Sequence, residues 1–251
     1  MNYHLRTVAH STLLILDPAE KWPGIRAGRV TANDGGQHHS WPHHNGATSD
    51  PADWQKGRAL YDIADLLAFE DQGDYLYVAA DATRAYATNK LQRFTRQIVF
   101  LRPDTFVIFD RVTATKPEFQ KTWLLQALKR PERQGDRLVI ANGSGKLFVQ
   151  TLLPAEPQIR LVSGDDLYRI GGASYPPSRD TGSAPACRIE VSPLRPAATD
   201  FFLHVLSTAA ASVSEVPRAK VHLEGDRIRL ELGSVKWTFF PDRVGGEIER
   251  E

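Results

Sequence analysis

With one cysteine, Cys187, in 251 residues, the chain can form no internal disulfide framework. A lone thiol fits a reducing compartment, or a large periplasmic fold that needs no covalent staple. No run reaches the roughly eighteen apolar residues of a transmembrane helix, so no membrane partner is expected. Met1 is followed at once by polar residues without an apolar core segment, so no signal peptide is expected in this chain. Basic residues form no block: 31 Lys and Arg against 30 Asp and Glu leave a formal charge of +1. That argues against nucleic acid, which calls for a basic stripe. A local cluster of cations would still suffice for an acidic polymer. Repeats, heptads and low-complexity runs are absent.

What the chain does have is short runs of Val, Ile, Leu, Phe, Thr and Tyr, broken by turn residues every eight to twelve positions. Residues 8–16, 75–81, 121–128, 138–143 and 146–153 read as strands. So do 187–193, 200–207, 219–223, 227–232 and 235–240. Arg96–Leu101 and Phe106–Val112 read as a hairpin around Arg102-Pro103-Asp104-Thr105. Asp110 and Arg111, at the end of its second strand, are candidates for an ion pair. Gly225-Asp226 reads as a tight turn. No long segment has a period of 3.6, which makes the fold all-β: an antiparallel two-layer sandwich, supersandwich-like, followed by a smaller C-terminal β layer from about residue 160. The Pro- and Gly-rich stretch 154–186 divides the chain into 1–155 and 156–251.

Chemistry-bearing residues gather near the start. Residues 1–44 hold six of the eight histidines, His4, His10, His38, His39, His43 and His44, in none of the recognised metal-ligand frames. Were 8–16 a strand, His10 would open it at the rim of a buried layer and need a metal, a carboxylate or a carbonyl as partner. The loop Asn33-Asp34-Gly35-Gly36-Gln37 reads either as the polar tip of a cleft or as a solvated turn. His38-His39 and His43-His44, on a Pro/Gly-rich loop, read as adventitious metal binders at most. In Asp81-Ala82-Thr83-Arg84-Ala85-Tyr86 the structural reading is preferred, with Asp and Thr capping a turn and Tyr packed with its hydroxyl bonded.

Several blocks together carry a resemblance. Asn2-Tyr3…Arg6-Thr7-Val8-Ala9-His10-Ser11, Ile15…Asp17-Pro18 and Asn33-Asp34-Gly35-Gly36-Gln37 stand in order, followed by Ala80-Asp81-Ala82-Thr83…Ala85-Tyr86. Val99-Phe100-Leu101, Val107-Ile108-Phe109-Asp110-Arg111-Val112, Lys121-Thr122-Trp123-Leu124-Leu125 and Arg188-Ile189-Glu190-Val191-Ser192-Pro193 continue them. Over essentially the whole chain this pattern resembles the C-terminal β region of heparinase II/III-like polysaccharide lyases. The resemblance implies a zinc-ligand role for His10, in a structural site whose other ligands lie upstream. It implies as well that the helical toroid carrying the catalytic tyrosine, and the histidine that acts on substrate, precede Met1.

The expected function is therefore the C-terminal β portion of a lyase that cuts uronic-acid-containing polysaccharides by β-elimination, incomplete and inactive alone. No catalytic residue is assigned within these 251 positions, and the zinc site is expected to be incomplete. The implied partners are an acidic polysaccharide and the missing helical domain; the implied location is the periplasm, as part of a longer exported protein. The alternative is a non-catalytic carbohydrate-binding or scaffold module, with Trp22, Trp41 and Trp54 as stacking platforms.

Overall fold

The computed structural model describes residues 3–21, 33–37, 50–58, 62–177 and 185–250. Eighteen strands, one short α-helix, α1 (Pro51–Lys56), and four 3-10 turns lie among them. In chain order the first strands are β1 (Leu13–Leu16), β2 (Asp65–Asp71), β3 (Tyr75–Asp81), β4 (Leu91–Leu101) and β5 (Thr105–Ala114). Then come β6 (Gln120–Ala127), β7 (Glu132–Gln134), β8 (Arg137–Asn142), β9 (Gly145–Leu153) and β10 (Pro157–Ser163). A two-residue pair, β11 (Arg169–Ile170) and β12 (Ala173–Ser174), precedes β13 (Cys187–Pro193) and the long β14 (Thr199–Ala210). The chain closes with β15 (Ala219–Glu224), β16 (Arg227–Leu232), β17 (Val235–Phe239) and β18 (Gly246–Arg250). Among the described residues no helix is long and apolar enough to cross a membrane.

The antiparallel sandwich expected from the turn spacing is present. One sheet has the order β1-β6-β13-β10, the other β2-β3-β4-β5-β14-β9-β8-β7. Between them lie Leu13, Ile15, Phe94, Val112, Trp123, Val149, Ile189 and Phe202, all buried. The far face of the eight-stranded sheet is covered by the smaller sheet β15-β16-β17-β18. That second core holds Tyr77, Val99, Phe109, Val205, Leu230, Trp237 and Phe239. Along β5 the run Phe106-Val107-Ile108-Phe109 is buried on the side of the C-terminal sheet, where Val107 and Phe109 lie, while on the other side Ile108 is half-buried and Phe106 is exposed. The smaller layer is confined to residues 219–250, whereas β10, β13 and β14 complete the two sheets of the sandwich. At the β15–β16 hairpin Glu224 pairs with Arg227, so the turn is the two residues Gly225-Asp226, with Gly225 at φ 60°.

Three local expectations differ from the structure. Residues 8–12 are not strand. Tyr3–Leu5 and Thr7–Ala9 form 3-10 turns, and β1 begins only at Leu13. The backbone there is satisfied locally, Arg6 donating to the Tyr3 carbonyl and His10 to the Thr7 carbonyl, each at 3.0 Å. Gln126 then reaches across to donate to the Val8 carbonyl at 3.0 Å, replacing a ladder bond with a side-chain one. Secondly, β10 crosses the stretch read as turn-rich: Pro157 lies at its first position, where the missing N–H is tolerated.

The third concerns Asp110 and Arg111, which do not pair with each other. Neighbours on a strand point to opposite faces, so the two cannot meet. Asp110 enters the inter-sheet core and accepts two bonds from Arg96, from Nε at 2.8 Å and Nη2 at 2.7 Å. Arg111 faces the C-terminal sheet.

Candidate functional site

The N-terminal turns and the Asn33–Gln37 loop do come together, and they form a buried polar knot at one end of the four-stranded sheet. Arg6 Nε donates to Asp34 Oδ2 at 3.0 Å with both side chains almost fully buried. The other carboxylate oxygen of Asp34 accepts the Gly36 N–H, and Asn33 Oδ1 accepts that of Gly35, both at 2.9 Å. Thr7 Oγ1 accepts the Gln37 N–H at 2.8 Å. The Gly35 carbonyl receives the Ile15 N–H at 2.7 Å, tying the loop to β1.

Glycine is required at both positions. Gly35 has φ +76°, and a Cβ there would lie 2.9 Å from the Ile15 carbonyl group. At Gly36 a Cβ would lie 2.6 Å from Thr7 Oγ1. Gly35 and Gly36 are thus buried anchors, while Asn33, Asp34 and Gln37 are half-buried as whole residues, so the loop is not a freely solvated turn.

Lys90, which the sequence did not single out, completes the knot. Fully buried, its ammonium donates to Glu20 Oε2 at 2.7 Å and to the Gly36 carbonyl at 2.8 Å. Burial depresses its pKa, opposed by the Glu20 carboxylate beside it. Tyr86, between Lys90 and the inter-sheet core, donates its hydroxyl to the Leu13 carbonyl at 2.6 Å. Asp81 caps the intervening turn by accepting the Thr83 N–H at 2.8 Å, and Thr83 Oγ1 accepts that of Phe94 at 2.9 Å. The structural reading of this motif is what the molecule shows.

On the outer side Tyr3 is fully buried, edge-on to Tyr168 at 5.0 Å. Arg188 spans this region, donating to Glu190 Oε1 at 2.9 Å and to the Leu167 carbonyl at 2.9 Å. Burial raises the Tyr3 pKa, although the Arg188 guanidinium pulls the other way. Tyr75 and Tyr77 are raised to about 12, chiefly by burial, and burial pushes Tyr86 higher still.

His10 lies exposed at the mouth of this knot, because the segment before it coils where a strand was expected. Its Nε2 is 3.0 Å from the His4 carbonyl oxygen. Among the described residues no three His, Cys, Asp or Glu side chains stand together as a metal site. These residues do not by themselves fit a zinc ion. His38, His39, His43 and His44, with Trp22 and Trp41, lie outside the described residues. Trp54 is half-buried on α1, with the Arg58 guanidinium 5.7 Å above its ring.

No protein-family model and no curated protein matches the sequence. Solved structures do. Heparan sulfate lyase HepC from Pedobacter heparinus superposes with a TM-score of 0.50 at 12% identity, over 72% of this chain and 28% of that one. Two structures of heparinase III, the BT4657 gene product, give TM-scores of 0.51 and 0.50 at 11% identity. They match 84% and 88% of this chain and 32% and 34% of their own. The chain therefore spans about a third of the length of the structures it matches. Its fold is that of a β-sheet region of heparinase III.

Proposed function

We propose that the chain is the β-sheet portion of a heparinase II/III-like lyase acting on uronic-acid polysaccharides, and that it needs a helical catalytic portion to turn over. The observation that carries this reading is the fold shared over 72–88% of the chain with lyases about three times as long. β-Elimination calls for a base at the proton beside the carboxyl group, an acid for the leaving oxygen and a cation for the charge that builds up. The polar knot spends its charges on itself, Arg6 on Asp34 and Lys90 on Glu20, which supports inactivity of this chain alone. A lyase of this kind would work in the periplasm.

Product formation is directly visible, because elimination leaves an unsaturated sugar that absorbs in the ultraviolet. Incubated with heparan-, chondroitin- and alginate-type polymers, the chain should give no rise in absorbance. A separately prepared helical portion should restore activity. Robust cleavage by the chain alone would refute the reading, whereas binding without cleavage in either arrangement would favour a carbohydrate-binding module.

His10 is proposed as one ligand of a structural zinc whose other ligands come from the helical portion upstream of this chain. In this chain zinc should bind weakly and below one equivalent, with little change in His10→Ala. In a longer version containing the helical portion, the same substitution should strip the metal, seen by metal analysis, and lower the melting temperature. Tight equimolar zinc in this chain, lost in His10→Ala, would place the remaining ligands within it.

A further inference from the structure

At the end of the sandwich where β6 and β14 begin, a cavity of about 210 Å³ opens between the loop before β6 and the loop joining β13 to β14. Two charged side chains meet at its floor, one from each sheet. Lys121 of β6 is almost fully buried, and its ammonium lies 2.8 Å from Asp200 Oδ2 of β14. The same ammonium donates to the Ala197 carbonyl at 2.6 Å and to the Phe119 carbonyl at 3.3 Å. Its three N–H groups are thereby used. The carboxylate is not used up. Oδ2 is sealed, whereas Oδ1 accepts no hydrogen bond among the described residues. The 11% of the Asp200 side chain that stays open presents that oxygen to the cavity.

Around this acceptor the lining is apolar and amide. Pro193, Leu194 and Pro196 supply C–H surface. Gln120 and Gln158 supply side-chain amides that bond to nothing else among the described residues. Arg195, also on the lining, already has Glu156 at 3.7 Å. Glu118 is exposed, where water screens its charge.

These surroundings select the ligand by exclusion. An anion finds no free ammonium at the floor, because Lys121 is saturated. A cation approaching Oδ1 is repelled by that same ammonium, one carboxylate away. What fits is a neutral group that donates. The volume lies below the roughly 300–1,000 Å³ of sites for drug-sized ligands, so it suits a single ring. A pyranose has a C–H face for the prolines and leucine, and hydroxyls that donate to a carboxylate and exchange bonds with amides.

We propose that this cavity binds one neutral pyranose residue, with Asp200 Oδ1 accepting from a ring hydroxyl and Gln120 and Gln158 bonding its neighbours. The site goes beyond the lyase reading and does not depend on it: elimination needs a uronic-acid ring, whereas this cavity takes an uncharged one.

The 251-residue chain would be titrated with methyl glucoside, methyl galactoside and methyl mannoside, following glutamine side-chain amide resonances by NMR. At least one sugar should move the Gln120 and Gln158 signals saturably, with a Kd on the order of 1 mM. Gln72, in the turn at the other end of the sandwich, should not respond, and Gln72→Ala should leave binding unchanged. Asp200→Asn should weaken binding about tenfold, the difference between a charge-assisted bond and a neutral one. Gln158→Ala, at an exposed position, should weaken it several-fold, and it keeps the test open should Asp200→Asn not fold. Absence of saturation with all three sugars overturns the proposal. So does unchanged affinity in Gln158→Ala, or in Asp200→Asn where that variant folds. For the sugar that binds, the uronate and the amino sugar of the same ring are then compared with it. Weaker binding of both charged rings supports a neutral site; equal or tighter binding of either overturns it.

Discussion

Asp110→Ala should destabilise the protein more than removal of any exposed charge, by about 3–5 kcal/mol, the range for breaking a buried ion pair. Asp110 is fully buried and takes both of its bonds from Arg96, whose side chain is 21% exposed. Burial alone would depress the Arg96 pKa, but the Asp110 carboxylate outweighs it and holds the guanidinium above its ordinary value. Alanine at 110 would leave that cation between two apolar layers, over the Phe94 ring at 5.5 Å. For a chain of this size the melting temperature should fall by roughly 10 °C.

Two comparisons identify the cause. Asp71 is also held by two bonds from one arginine, Arg102, which keep its carboxyl below the usual carboxylate range. Being exposed, it should leave the denaturation midpoint nearly unchanged when replaced by alanine. The double variant Arg96→Met, Asp110→Leu, which removes both charges, should recover most of the loss. Equal effects of Asp110→Ala and Asp71→Ala, or a double variant no better than Asp110→Ala, would show that burial of the pair is not what matters.

The same pair marks where sequence reasoning stops. Strand placement was legible because turn residues and apolar runs are local: the β4–β5 hairpin, β13 and β16 lie where Pro103, Cys187–Pro193 and Gly225-Asp226 put them. Partners across the sheet are a different matter, being set by register, and Asp110 meets Arg96 only because β4 and β5 pair at those positions. The third layer was half legible, as a smaller C-terminal sheet, but nothing local says which face it covers. At the candidate site, Asp34 and the two glycines were visible as a motif. Lys90 was not, since one lysine before a strand carries no signal of burial until Glu20 and the Gly36 carbonyl surround it. The strand expected over residues 8–16 failed at its start because hydrophobic pattern cannot see Gln126 binding the Val8 carbonyl, or Asp34 holding the Arg6 side chain, in place of a ladder.

His204 should make the protein lose stability as pH falls from about 6.5 toward 3, and removing it should flatten that loss. The residue is fully buried between the sheets, its ring stacked 3.7 Å from that of Trp123. Nδ1 is 3.1 Å from Thr151 Oγ1, and Nε2 has no partner among the described residues. An imidazolium needs two acceptors, and burial with the nearby Arg96 charge disfavours it, lowering the pKa to about 3. The folded state therefore holds His204 neutral, while the unfolded chain binds a proton near pH 6.5. Its contribution is full above 6.5 and is lost as pH falls toward 3, on the order of 4–5 kcal/mol at the limit. Between pH 6 and 5 most carboxylates are still ionised, so the slope there isolates the histidine. The parent should lose about 1 kcal/mol over that interval by chemical denaturation, and His204→Leu should lose distinctly less. Leucine leaves Thr151 without its ring partner and lowers stability at pH 7, but that offset is constant with pH. Identical slopes in the two proteins would mean that His204 is not the group taking up the proton.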